Sequence, residues 1–325
     1  MRGKTDWRPT ATWQRLQQRA LLLSHCRRFF SERGVLEVDT PSLSRSALPE
    51  HHIEPITCCA DGSSAGALFL HTSPEAAMKR LLAAGSGPIY QLCHVFRAHE
   101  MGPHHHPEFT MLEWYRPGWN WFQLMMEVAE LVGQLLDIEL PPHPFPLTMS
   151  YRQALIQYAG IDLLEENQAT LRRHLPADQA AALSDSDYET LLDWFWVDRV
   201  EPALARHHPA LFITHFPVAR AAMARVDPGP PATACRFELY IHGVELANGY
   251  QELTDAGEQE RRLVAANDQR RLQGLVSLPI DQHFLAALAE GMPECAGVAL
   301  GFDRLVMLAC GATSIDQVTA FHIDS

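Results

Sequence analysis

Long apolar runs are missing from this chain of 325 residues. It contains no stretch of about eighteen uncharged apolar residues, the length a membrane-crossing helix needs. The N-terminus, MRGKTDWRPTATWQRLQQ, has no apolar core of the kind a secretory leader carries. A cytoplasmic protein with no membrane partner is expected. Basic residues are also few: 26 Lys and Arg stand against 39 Asp and Glu, a formal charge of −13 that repels a phosphate backbone. Stable nucleic-acid binding is therefore not expected, although a local basic patch stays compatible with that total. The seven cysteines form no C-x-x-C pair, and Cys58 and Cys59 are adjacent. Neither a zinc knuckle nor a disulfide framework is indicated, and ordinary reduced thiols are expected.

What the chain does have is apolar residues at 47%, enough for a large core in one large domain with insertions or in two ordinary ones. The stretch around which the rest is organised is PIYQLCHVFRAHEMGPHHHPEFTMLEWYR, from Pro88 to Arg116. Ile89–Arg97 reads as a buried strand that ends on an arginine suited to a phosphate. Gly102, Pro103 and Pro107 then give a loop, and an antiparallel strand returns. Residues two apart on that strand share a face, so Phe109, Met111, Glu113 and Tyr115 point one way, and a carboxylate beside a phenol suits an amine. A surface hairpin with a basic end is the plain structural alternative.

Around this hairpin, Thr12–Arg33 reads as a helix with Leu16, Ala20, Leu23 and Phe30 on one face and Gly34 as its stop. A short strand follows, confined to an edge or an interface by Pro41. His51–Gly66 reads as a polar connection, and Leu68–His71 as a strand. Next comes a helix capped by Thr72 or Ser73, with Pro74 at its first position and Glu75 near its positive end. Trp119–Leu136 is again helical. The segment PPHPFP, Pro141–Pro146, is a rigid break, and residues about 141–231, with an amphipathic helix near Asp187–Arg206 and a short strand at Leu211–Phe216, read as a helical insertion closed by DPGPP.

A second hairpin, RFELYI-HG-VELANGYQEL, brings Glu238 and Glu245 to one face if His242 and Gly243 form a two-residue turn. Two such carboxylates suit Mg²⁺ held largely by nucleotide phosphates, or else they are simply solvated. Finally, GVALGFDRLVMLACG carries a glycine-bracketed strand and a helix with Arg304 in its first turn. A cation there asks for an anion, either a phosphate or a neighbouring carboxylate.

Taken together these stretches resemble the catalytic core of the class II aminoacyl-tRNA synthetases, in the lysyl branch. The helix running into RGVLEVDTPSL is similar to motif 1, VFRAHE-loop-HPEFTMLEWY to motif 2, GVALGFDRLVML to motif 3, and ELANGYQELTD to the lysine-branch signature. The resemblance implies an α+β fold, an antiparallel sheet flanked by helices, forming a single catalytic domain over 1–325 with an insertion at about 141–231. It also implies ATP and Mg²⁺ as cofactors and a homodimer through motif 1. About ten residues precede the first helix, so no anticodon-binding domain is expected. In that respect the chain resembles the free-standing paralogues in this branch that attach lysine to a protein rather than to tRNA, which implies elongation factor P as acceptor and (R)-β-lysine or lysine as substrate.

Carried over position by position, the resemblance implies that Arg97 holds the α-phosphate and Arg304 the γ-phosphate, and that Glu238 and Glu245 hold the metal. Ala98, His99, His106, Leu246 and Gly301 would frame the nucleotide. Ser73 and Glu75 would meet the amino-acid end of the substrate, Glu113, Tyr115 and Glu252 its distal ammonium, and Asn248 its carboxylate. Three departures stand out. Where the family has F-R-x-E, this chain has Phe96, Arg97, Ala98, His99, with Glu100 one place late, so either histidine substitutes or the loop shifts. His106 replaces a nucleotide-contacting asparagine. Ala299 replaces a glycine of the tRNA-charging enzymes, and an added methyl can shift substrate choice by ~1 to 3 kcal/mol, towards a β-amino isomer. Histidines 104 to 106 are adjacent in one loop, so a shared metal is not expected. Two rival readings remain: a catalytically inactive regulatory paralogue, and a lysine-activating enzyme with another acceptor.

Overall fold

The computed structural model describes residues 7–50, 53–58, 67–138 and 147–323. The chain divides into two compact units, Met1–Glu139 with Gly249–Ser325, and Leu140–Asn248.

The first unit opens with helix α1 (Trp13–Glu32), capped by Thr12, whose side chain accepts from Arg15 N–H. Its buried side chains are Leu22, Cys26, Phe29 and Phe30. The helical period was legible in the sequence but its face was not: Ala20 is exposed and Leu23 only half-buried, because Phe29 and Phe30 set the inward direction. Strand β1 (Leu36–Glu37) lies at a sheet edge, as Pro41 required. Strands β2 (Leu43–Ser44), β3 (Thr57–Cys58) and β4 (Leu68–Leu70) form a small antiparallel sheet in the order β2-β4-β3. The sequence reading had taken the β3 segment as connection.

Helix α2 (Glu75–Ala83) begins one residue later than expected. Pro74 precedes it, and Ser73 accepts the Glu75 N–H at 2.9 Å. Strands β5 (Ile89–Phe96) and β6 (Glu108–Pro117) form the central hairpin, with Gln91 opposite Glu113. Helix α3 (Trp121–Leu136) starts in a capping box between Asn120 and Gln123.

In the second unit come β7 (Thr148–Ser150), α4 (Tyr151–Ala159), α5 (Gln168–His174), α6 (Ala177–Ala180) and α7 (Tyr188–Phe195). Helix α7 passes through a π turn, Trp196–Val200, into α8 (Glu201–His207). Strands β8 (Ala210–Pro217), β9 (Val226–Asp227) and β10 (Thr233–Ile241) follow, with β11 (Val244–Gln251) crossing into the first unit by its last residues. Within the segment read as a helical insertion, β8 is the strand expected at Leu211–Phe216, and the unexpected β7 pairs parallel with it. The β10–β11 turn is the expected two-residue one. His242 and Gly243 sit at φ 49° and 78°, and a Cβ on Gly243 would lie 2.6 Å from Ala205 Cβ, so only glycine fits there. The Pro141–Pro146 break lies outside the described residues.

The chain then returns to the first unit as α9 (Ala256–Leu272), α10 (Gln282–Gly291), β12 (Cys295–Gly301) and α11 (Phe302–Cys310), which ends on Gly311 at φ 59°. The first unit orders its main strands β1-β5-β6-β12, antiparallel apart from the parallel β1–β5 pair. The α+β class expected from the sequence is the one found, with a mixed rather than wholly antiparallel sheet.

The two faces of β6 have separate partners. Trp114 and Arg116 bond Glu127 of α3, and Thr110 N–H donates to Asp303 of α11 at 2.8 Å. Asp303 also pairs with Arg19 of α1, so three elements meet at one carboxylate. The opposite face carries Glu113 and Tyr115.

Candidate active site

Strand register gathers carboxylates, a phenol and a lysine into one cluster in the first unit. Directly opposed residues of an antiparallel pair share a face. Gly297 lies opposite Tyr115 and Ala299 opposite Glu113, so the β12 residues and the β6 pair line one surface. Tyr115 donates to Glu113 Oε1 at 2.7 Å, and Ser73, at the start of α2, donates to Glu113 Oε2 at 3.1 Å. One helical turn beyond Glu75, Lys79 reaches Glu75 Oε1 at 2.6 Å and Glu252 Oε2 at 2.5 Å. Glu252 is fixed just past β11 by its N–H to the carbonyl of Cys295, 3.0 Å away. Gly297 is the floor: a Cβ there would lie 2.3 Å from the Tyr115 ring and 2.4 Å from Glu252 Oε1. Ser73, Glu75, Glu113, Tyr115, Glu252 and Ala299 are thus brought together.

Lys79, Glu113, Tyr115 and Glu252 are buried, while Ser73, Glu75 and Ala299 keep some exposure. Burial, and then the nearby Glu75, push the Glu113 carboxyl up to about 8 against the opposing pull of Tyr115, Ser73 and Lys79. Burial also raises Glu252, while Lys79 pulls it down. Lys79 itself would be depressed by burial, but Glu252 and Glu75 carry it above its usual value. A proton held by Glu113 in the folded chain is lost from an unfolded chain above the ordinary carboxylate range. Between that range and about pH 8 the native state binds more protons, so this contribution to stability is complete at low pH and fades as pH rises. The ligand-free protein is expected to lose on the order of a few kcal/mol between pH 5 and 9 from this source. Thermal melting across that range should show the loss, and Glu113→Gln should flatten it.

The arginines of the two anion-seeking stretches also lie in this unit. Arg97 stacks over Phe109 at 5.0 Å, donates to the Thr72 carbonyl at 3.4 Å and pairs with Glu100 at 3.4 Å. The late glutamate therefore has a place, on the arginine. His99 is exposed at φ 66°, and the Ala98 N–H is taken by the Glu54 carbonyl at 2.8 Å. Arg304, in the first turn of α11 after Gly301, donates to the His104 carbonyl at 3.2 Å and to His105 Nε2 at 2.7 Å. His106 is buried, with Nε2 accepting from Ile323 N–H at 3.3 Å and Nδ1 donating to the Glu108 carbonyl at 2.6 Å. Both ring nitrogens of the histidine expected at the nucleotide are therefore bonded within the protein.

In the second unit, Glu238 is buried beside Arg236, which pairs with one carboxylate oxygen, while Tyr240 donates to the other at 2.8 Å. Trp196 Nε1 in turn donates to Tyr240 Oη at 3.0 Å. One Glu238 oxygen is thus balanced by a guanidinium. Leu246 is buried, and Asn248 Oδ1 is buried with no hydrogen-bond partner among the described residues.

Sequence reasoning missed Lys79 and Arg236. The i, i+4 spacing of Glu75 and Lys79 on a helix was the available signal for the first. The alternation Arg236, Glu238, Tyr240 on one strand face was the signal for the second.

A family model for class II tRNA synthetases of the D, K and N group matches residues 4–325. Elongation factor P (R)-β-lysine ligases from Edwardsiella ictaluri, Salmonella typhi and Erwinia tasmaniensis are each 46% identical to this chain over 329 residues, covering 100% of it and 99% of each relative.

Proposed function

This chain belongs to the class II tRNA synthetases of the D, K and N group, and from that membership we propose that it is an ATP-dependent ligase that activates (R)-β-lysine, or lysine, and transfers it to a lysine of elongation factor P. The observation that carries the reading is the acidic cluster of Glu75, Glu113, Tyr115 and Glu252, buried at all but Glu75 and bounded by Gly297. Full-length similarity to ligases of that name supports the same acceptor. The runner-up readings, an inactive paralogue or another acceptor, have no observation in their favour.

In the proposed first step the substrate carboxylate attacks the α-phosphorus of ATP, the bond to the β-phosphate oxygen breaks, and pyrophosphate leaves. Arg97 would take the charge growing on the α-phosphate and Arg304 the γ-phosphate, each giving up its present partner in the 98–106 loop. Ala98, His99, His106, Leu246 and Gly301 are the proposed nucleotide frame. Glu113, Tyr115 and Glu252 would hold the distal ammonium, Ser73 and Glu75 the near amine, and Asn248 the carboxylate end. In the second step an acceptor ε-amine attacks the acyl carbon and AMP departs. That amine must first lose a proton, because a free lysine with pKa about 10.4 is almost wholly protonated at neutral pH.

Synthetase chemistry uses ATP with a metal, and Mg²⁺ is the ion proposed. The donor set fits by chemistry, since Glu238 and Glu245 offer hard oxygens, with Glu238 available once Arg236 turns away. When bound it would supply charge neutralisation to the phosphates. The Ala299 methyl, opposite Glu113 in the strand register, is the proposed element that favours the β-amino isomer. A cytoplasmic location and a homodimer through α1 and β1 belong to the same proposal; no described helix is long and apolar enough to cross a membrane.

The test is the intact mass of elongation factor P after incubation with the protein, Mg-ATP and either α-lysine or (R)-β-lysine, with tRNA in parallel. A gain of one lysyl group on the factor, larger with the β-isomer and absent on tRNA, is expected. No gain despite intact pyrophosphate exchange would move the acceptor elsewhere, and loss of both would favour the inactive paralogue.

A further inference from the structure

Lys79 is wholly buried, with Nζ between Glu75 Oε1 and Glu252 Oε2. An ammonium in such a place costs several kcal/mol to desolvate, on the order estimated for any buried ion, and an apolar side chain of similar length would fill the space beside Phe284 of α10 at lower cost. The arrangement makes physical sense if the carboxylates have to stay charged. Three of them, Glu75, Glu113 and Glu252, converge with Tyr115, all but Glu75 buried, and uncompensated carboxylates so placed share protons instead of ionising together. Lys79 takes one oxygen from each of two. The other oxygen of Glu252, Oε1, is left over the Gly297 floor beside the Tyr115 ring.

We propose that Lys79 is the positioning residue of the amine pocket: it holds one oxygen each of Glu75 and Glu252 and leaves their second oxygens turned towards the substrate, which matches the pocket to an amino acid bearing two ammonium groups and sets it against monoamines. This deepens the proposed lysine-activating function and rests on it. Once substrate binding has displaced the proton held by Glu113, one lysine and three carboxylates carry a formal charge of −2, which two substrate ammonium groups neutralise. The groups that bear on this balance are Glu75 from α2, Glu113 and Tyr115 from β6, Glu252 after β11, and Cys295 from β12, whose thiol is raised first by burial and then by Glu252. From α10 the facing group is the uncharged Phe284.

The test uses lysine-dependent pyrophosphate exchange by the full chain, between pH 6.5 and 8.5, with norleucine as the monoamine competitor. In Lys79→Met the KM for lysine is expected to rise ~30-fold or more at pH 7, as befits truncating one member of a buried charged set, with kcat within about threefold of wild type. The deficit should shrink as pH rises, because alkali restores the charge that Lys79 had secured, and discrimination against norleucine should fall. Unchanged KM with an unchanged pH profile, or a fall in kcat alone, would overturn the assignment. Should Lys79→Met fail to fold, calorimetry on the wild-type protein decides. Lysine binding at pH 8, above the range in which Glu252 is half protonated, should release no more than about one proton, drawn from Glu113, in buffers of different ionisation enthalpy, and release of two or more would overturn it. Wild-type protein with no lysine-dependent exchange at all would remove the underlying function and this role with it, whereas normal wild-type exchange with an indifferent Lys79→Met removes only the role of Lys79.

Discussion

Arg97→Ala is expected to lower ATP–pyrophosphate exchange about a thousandfold, the scale on which preorganised cations act at a transferring phosphoryl group. The guanidinium ends β5 at the mouth of the loop, is braced against Phe109 and is tied by the Thr72 carbonyl, so its position is set before any nucleotide arrives. Its ion pair with Glu100 is long, at 3.4 Å, and half-exposed, a partner that a phosphate can displace. The melting temperature should move little, because the arginine is bound at a loop rather than in the core. Exchange that survives the substitution would remove the motif 2 assignment.

Gly297→Ala should nearly abolish lysine binding while leaving ATP binding in place. The added methyl would meet the Tyr115 ring at 2.3 Å and Glu252 Oε1 at 2.4 Å, and neither has room to retreat. Tyr115 is buried and bonded to Glu113, and Glu252 is pinned between Lys79 and the Cys295 carbonyl. Overpacking of this kind costs about 1–3 kcal/mol in stability. Displacement of the tyrosine or the carboxylate should cost at least ~100-fold in affinity, since it undoes the bonds that shape the pocket. Calorimetric titration with lysine and, separately, with a non-hydrolysable ATP analogue checks both halves; wild-type lysine affinity in this variant would show that Gly297 is not the pocket floor.

Much of this was legible before any coordinates. Period-two alternation put Glu113 and Tyr115 on one face of β6, and the hydrogen bond between them follows from that spacing. Turn chemistry at His242 and Gly243 fixed the second hairpin. What stayed hidden was long-range in sequence. Nothing near Lys79 says that a residue far along the chain, Glu252, will bond it. The inward face of α1 was misjudged by one position because apolar residues surround the helix and only packing decides between them. The loop departures at His99 and His106 were visible as substitutions, but their bonding to the fold depended on Ile323 and on backbone conformation.

The division of labour along β6 constrains what mutation can do to this chain. Alternate residues serve the helical core through Glu127 and Asp303 and the amine pocket through Ser73 and Gly297, and a strand has no slack between neighbours. Insertion or deletion of a single residue within Glu108–Pro117 would exchange the two sets, sending Trp114 into the pocket and Glu113 into the apolar layer. A change of length in this part of the protein is therefore expected to be tolerated only in the loop that precedes the strand.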